Sequence, residues 1–192
     1  RRQLRQQFPL LPVDLMRIPI FSMSIGTSIC SFTGQMLAML SLPFFLQETL
    51  KRSDVTTGLL LTPWPIATMI IAPLAGRLVE RIHAGILGSI GMTIFAIGLF
   101  LLAVLPSNPT NMDIIWRLFI CGSGFGLFQT PNNSTIISSA PSNRSGGASG
   151  MLGTARLLGQ TLGATQVAMI FYLVPINSSQ TCLYSATGFA IV

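Results

Sequence analysis

Charge is what this chain has least of: Asp, Glu, Lys and Arg make up 8% of its 192 residues, where a soluble domain carries about 25%. A water-soluble globule cannot coat itself with so few charges, so the chain reads as a polytopic membrane protein. Acids are the scarcer sign, 5 against 11 basic residues. The basic residues sit at the ends of apolar runs, with no basic helix and no patch interleaved with aromatics, which excludes nucleic-acid binding. Histidine occurs once, at His83, and the cysteines Cys30, Cys121 and Cys182 lie far apart with no C-x-x-C pair. Neither a metal site nor a disulfide framework is supported, and the cysteines read as small apolar packing residues. With no nucleophile and base pair and no metal set, no catalytic residue or cofactor is assigned and the chain is not read as an enzyme.

Long apolar runs are what the chain has instead. From Thr57 to Arg81 there are about 20 uncharged residues, enough for a helix to cross the roughly 30 Å hydrocarbon core of a bilayer. Pro63, Pro65 and Pro73 interrupt this run. Prolines free backbone carbonyls that lipid cannot satisfy, so this span should kink and face other helices or a wet cavity. It closes on Gly76-Arg77-Leu78-Val79-Glu80-Arg81, a tight charged turn. That turn is either a conformational latch or a solvated interfacial loop with snorkelling arginines.

The same reasoning predicts an all-α membrane protein with spans at about 18–46, 57–79, 84–105, 113–139 and 147–174, and the start of a sixth at 182–192. Residues 18–192 then form one transmembrane bundle. Residues 1–17, basic and proline-containing without an initiator Met or a cleavage site, read as a cytoplasmic linker between helices rather than a signal peptide. The sixth run is too short to cross, so the chain reads as a fragment at both ends. Arg1, Arg2, Arg5, Arg17, Arg77, Arg81 and Arg144 gather on one side, against Lys51, Arg52 and Arg117 on the other. The N-terminal end and the Gly-Arg turn are therefore expected in the cytoplasm.

Polar residues inside the spans follow helical spacing. Ser24, Ser28, Ser31 and Gln35 form one stripe on the first span, with Met39 a turn beyond. The stripe is either a polar seam between helices, since hydroxyls bond back to their own backbone, or a cavity wall for which Gln35 is the stronger candidate. On the fourth span Gly122, Gly126, Gln129 and Asn133 share a face, Pro131 breaks the ladder, and Phe125 and Phe128 lie nearby. The glycines read as close packing and the amides as an inward wall. The fifth span carries a ladder of Ala155, Gly159 and Gly163 for close helix packing. Arg156 lies about ten residues into it and either snorkels to the near surface or meets an acid, and the chain offers no intramembrane Asp or Glu at that depth; Arg117 lies just inside the fourth span as a second intramembrane charge. The third span carries almost no polar group and is expected to be the most lipid-like.

Pro63, the Pro73-x-x-Gly76-Arg77-x-x-x-Arg81 sequence, the stretch from Pro131 to Pro141, Gly146-Gly147-Ala148-Ser149-Gly150 and Arg156-Leu157-Leu158-Gly159 together resemble the C-terminal half of a major facilitator superfamily transporter. The leading Pro-Leu-Leu-Pro-Val-Asp-Leu-Met-Arg resembles the 14-span drug:proton antiporters, the branch of quaternary-ammonium and methyl-viologen exporters. The charged turn resembles the family's Gly-x-x-x-Asp-Arg, with Glu80 as the acid.

The resemblance implies two halves rocking about a central site, with the first and fourth spans lining it, the second and fifth between the halves, and the third outside. The implied function is a proton-coupled multidrug efflux transporter of the inner membrane, exporting lipophilic or quaternary cations. Its cavity would use Gln35, Met39, Trp64, Phe125, Phe128, Gln129 and Asn133. The implied partners are the missing N-terminal half of the same transporter, the lipid bilayer, a cationic small molecule and protons. The proton-carrying carboxylate would lie in the absent half or be Glu48. The alternative is a carrier of another solute, such as a metabolite or sugar, with Gln35, Gln129 and Asn133 as hydrogen-bond partners and Arg117 or Arg156 serving an anion.

Overall fold

A computed structural model describes residues 13–106, 108–174 and 177–191; the expected linker residues 1–12, with Arg1, Arg2 and Arg5, lie outside that range. Each apolar run has become a helix. A short 3-10 turn at Val13–Arg17 leads into α1, Pro19–Phe44, whose Pro19 takes the first helical position, where its missing N–H costs nothing. Pro43 interrupts the ladder near the end, and the chain continues as one π-helical turn, Phe45–Thr49. Lys51 then turns the chain with a left-handed φ of 53°.

The run expected as one span at 57–79 is two helices in line. α2, Asp54–Leu61, starts earlier than expected because the Ser53 hydroxyl caps it, accepting from the Thr56 N–H at 3.3 Å. α3, Pro63–Val79, begins after a break at Thr62. Thr62 keeps a helical backbone, so Asp54–Val79 is one span with a one-residue interruption, after which Pro63 and Pro65, which cannot donate back to the preceding turn, are the first and third residues of α3. The Thr62 hydroxyl closes the end of α2 by donating to the Gly58 carbonyl at 2.9 Å. Pro73 alone stands inside α3.

α4 covers Ala84–Ala103 and opens on His83, whose Nδ1 accepts from the Gly85 N–H at 3.2 Å. α5, Asn111–Ser139, opens on a capping box: the Thr110 hydroxyl accepts from the Asp113 N–H at 3.2 Å, and Asp113 Oδ2 accepts from the Thr110 N–H at 3.0 Å. After a 3-10 turn at Ser142–Arg144 comes α6, Ser145–Leu173. α7 covers Ser178–Ile191, four residues longer at its start than the expected 182. Its first turn tolerates polar residues because the Ser178 and Thr181 hydroxyls bond back to the carbonyls of Val174 and Asn177.

Pro19–Thr49, Asp54–Val79 and Ala84–Ala103 are long and apolar enough to cross a membrane. α5 and α6 have 29 residues each and thus the length, but carry the glycines, amides and hydroxyls that pack the bundle. A side chain cannot be added at several of these glycines. A methyl group on Gly159 would lie 2.6 Å from the Ile29 carbonyl oxygen, and one on Gly163 2.8 Å from that of Thr33, so α6 rides directly on the backbone of α1. Gly98 of α4 meets the Cys121 backbone of α5 in the same way.

The main core gathers Phe32, Leu37, Leu42, Trp64, Phe95, Leu99, Leu118 and Phe125, and a second cluster near the start of α1 joins Leu15, Phe21 and Ile25 to Ile136, Ala148 and Ala155. α4 is less bare than expected: it buries Phe95, Leu99 and Leu102 while Ile86, Ile90 and Phe100 face outward. α3 is barer, burying only Trp64, Ala67 and Ala75 and exposing Ile66, Met69, Ile70 and Leu74. The polarity of a helix does not reveal its burial when its neighbours are apolar.

Candidate functional site

On α1, Gly34 lies against the Ala186 carbonyl of α7. Phe32, two residues earlier and about 200° around the helix, turns the opposite way, into the wedge between α5 and α6. There its ring meets Phe125 edge-on at 5.6 Å between centroids, and the Arg156 guanidinium lies 5.7 Å from its centre. Phe125 carries the cluster on to Phe95 at 5.5 Å and Trp64 at 6.5 Å. The α6 wall of the wedge is held by the Thr33 hydroxyl, which donates to the Gly159 carbonyl at 3.1 Å.

Phe125, Gln129 and Asn133 follow one another at intervals of four along α5 and so share a strip. Gly122 and Gly126, on the neighbouring strip, take up α3: the Thr68 hydroxyl donates to the Gly122 carbonyl at 3.0 Å. Gln129 and Asn133 are half-buried, and the Asn133 side-chain oxygen has no partner. Gln35 is half-buried, and Met39 packs on the main core. Trp64, 2% exposed, and Phe125, 3% exposed, fill the core behind the strip, and the indole Nε1 of Trp64 is buried without a partner.

The serine stripe of α1 resolves into a helix–helix seam. The Asn132 amide donates to the Ser28 hydroxyl at 2.7 Å and to the Ser24 carbonyl at 3.2 Å, while the Ser31 hydroxyl donates to its own helix at the Ser28 carbonyl. Asn132 was missed in the sequence because a spacing of four from Gln129 selects Asn133, although a spacing of three, equally helical, selects Asn132.

Phe128 stands apart. It lines a cleft of about 990 Å³ between α1, α4, α5 and α7, on the other side of α1 from the wedge. Of the expected cavity residues, Phe128 alone lies there. The hydroxyls of Ser89, Thr93, Thr135 and Thr187 in this cleft all donate to carbonyls of their own helices, so they offer a ligand acceptor lone pairs and no free proton. At the other end of α1, Glu48 lines a smaller recess of about 360 Å³ with Phe44, Phe171 and Asn177.

Gly76 and Arg77 belong to the last turn of α3, Glu80 ends it, and Arg77, Glu80 and Arg81 are all exposed. Among the described residues the ion pairs are Arg117 with Asp113 at 3.5 Å and Arg144 with Asp14 at 3.0 Å, and Glu80 takes part in neither. The second pair ties the turn before α6 to the turn before α1. Arg117 also donates to the Asp113 carbonyl at 3.0 Å and lies 4.6 Å from the Trp116 ring, while its Nε is buried without a partner. Among the described residues Arg156 has only the Phe32 ring.

The sequence profile described as Major Facilitator Superfamily matches residues 2–164. The chain belongs to the major facilitator superfamily. Members of this superfamily are transporters and not enzymes, and the apolar helices are those of a multi-pass membrane protein. The chain is 62% identical, over its whole length, to 42% of a relative from Escherichia coli named Uncharacterized transporter YebQ. It is 31% identical over 83% of its length to 29% of the Multidrug resistance protein Stp of Mycobacterium tuberculosis. It is 30% identical over 89% of its length to 34% of the Multidrug efflux pump LfrA of Mycolicibacterium smegmatis. The chain thus spans less than half the length of these superfamily relatives.

Proposed function

We propose that the full-length protein exports lipophilic or quaternary cations across a bacterial inner membrane in exchange for protons, and that this chain is its C-terminal bundle, with the N-terminal end in the cytoplasm. The observation that carries the reading is the pair of half-buried amides, Gln129 and Asn133, one and two turns along α5 from the buried Phe125 that meets Phe32. Amides orient a ligand without fixing its identity. Similarity to a protein named for multidrug resistance and to one named a multidrug efflux pump points the same way.

In this reading α1 and α5 line the path, α3 and α6 meet the other half through their bare apolar faces, and the halves alternate access by rocking. The proton would be carried by an acid outside this chain or by Glu48. The experiment is proton-gradient-driven efflux of a cationic dye from everted vesicles holding the full-length protein. Efflux that collapses with the gradient and weakens in Gln129→Ala and Asn133→Ala is expected. Efflux equal to that of empty vesicles sinks the reading.

A carrier of another small solute, such as a metabolite or sugar, is the second reading. The unpaired Arg156 beside the strip favours it.

A further inference from the structure

Arg156 holds a charge that nothing in this chain balances. α6 runs for 29 residues, about 43 Å at 1.5 Å per residue, against a hydrocarbon core of about 30 Å. Arg156 is about 16 Å of rise from Ser145, which in a core of about 30 Å centred on α6 is about 10 Å below the near surface. Its side chain is exposed on the bundle, over a Phe32 ring that is 4% exposed and fixed from the side by Phe125. One turn on, Gly159 pins α6 to α1, so the guanidinium is held against the ring by two helices that cannot slide apart.

The chain has five acids, and all can be placed. Asp14 pairs with Arg144 and Asp113 with Arg117. Glu48 and Asp54 flank the connector after α1, and Glu80 ends α3. Of the elements packed on α6, α1 and the described part of α7 carry no charged residue, α5 carries only the Asp113–Arg117 pair at its first turns, and the Ser142–Arg144 turn carries Arg144. An unpaired guanidinium at this depth is costly, and one ring face offsets a fraction of that cost.

We propose that Arg156 on its Phe32 plate is a carboxylate-binding point inside the membrane. The planar fork of a guanidinium matches a carboxylate with two parallel N–H···O bonds, which a lysine cannot reproduce. The carboxylate belongs either to the transported solute or to an acidic side chain elsewhere in the full-length protein. The inference goes beyond the exporter reading and does not need it: it requires only that the wedge between α5 and α6 face the rest of the transporter.

The test uses purified full-length protein as wild type, Arg156→Gln, Arg156→Lys and Phe32→Leu. Binding of a xanthene dye bearing a free benzoate is compared with that of its methyl ester, and the protein's own carboxylate bands are titrated by infrared spectroscopy without dye. If the solute supplies the acid, the wild type prefers the free acid by about tenfold, Arg156→Gln abolishes the preference and Arg156→Lys keeps part of it. If the protein supplies the acid, there is no preference, but Arg156→Gln raises the titration midpoint of one carboxylate by about one pH unit or more, because a neighbouring cation holds it down. Either result supports the proposal and names the source. Should Arg156→Gln fail to assemble, Phe32→Leu and Arg156→Lys are judged by the same readouts. Variants that match the wild type in both measurements overturn it. Neither readout depends on cation transport, so failure of the exporter reading would be seen separately.

Discussion

The Thr33 hydroxyl lies between two carbonyls, that of Ile29 on its own helix at 2.8 Å and that of Gly159 on α6 at 3.1 Å, the second across a gap that exists only because Gly159 has no side chain. The hydrogen bond and the close approach are one contact between α1 and α6, and the wedge holding Phe32 and Arg156 is built on it.

Gly159→Ala should therefore destabilise the bundle, since its methyl would meet the Ile29 carbonyl and the Phe32 Cβ below 3 Å. Overpacking of this kind costs about 1–3 kcal/mol. Gly153→Ala, at a site with open space, is the control. Thermal unfolding of the full-length protein in detergent should separate the two; equal midpoints would refute the contact.

Asn132 and Asn133 should behave as opposites although adjacent. Asn132→Ala removes two bonds to α1 and should lower stability by about 0.6–1.7 kcal/mol, the range for hydrogen bonds between membrane helices. Asn133→Ala should leave stability nearly unchanged and impair transport. Cysteines at Gln35, Gln129 and Asn133, in a background lacking Cys30, Cys121 and Cys182, should react with polar thiol reagents. Protection of all three would remove the amides as a wall of the path.

Asp14 and Arg144 join the turns before α1 and α6 at 3.0 Å, with their side chains 42% and 22% exposed. A pair this wet contributes little, about 0.2–1 kcal/mol. A double-mutant cycle on Asp14→Asn and Arg144→Gln should return a coupling in that range that shrinks with added salt. A coupling that is absent or indifferent to salt would mean the pair does not hold the turns together.

Glu80 is exposed beyond the C-terminal end of α3, where the helix dipole favours cations and not acids. If Glu80 finds an arginine only in another arrangement of the two halves, Glu80→Gln should shift the balance of inward-facing and outward-facing states by about 1 kcal/mol. Distances between spin labels on cytoplasmic helix ends of the full-length protein would report it. An unchanged distribution would leave Gly76, Arg77, Glu80 and Arg81 as an ordinary interfacial turn.

The helices and most of their ends could be read from the chain alone. Lipid requires long uncharged runs and internally satisfied backbones, and caps such as Thr110 with Asp113 act within four residues, so both leave marks in local sequence. That no acid lies beside Arg156 could also be expected, because only five acids needed placing. Tertiary structure decided the rest. Whether Pro63 and Pro65 kink a helix or begin one depends on where Ser53 starts the preceding turns and where Thr62 closes them. Whether Ser28 faces a cavity or Asn132, and whether Asn132 or Asn133 looks into the wedge, depends on how α5 is rotated about its axis. That rotation is set by Gly122 and Gly126 against α3 and Gly124 against α4. Helical spacing defines a face but not the neighbour it meets, and contacts between residues 100 positions apart are made only when the helices pack.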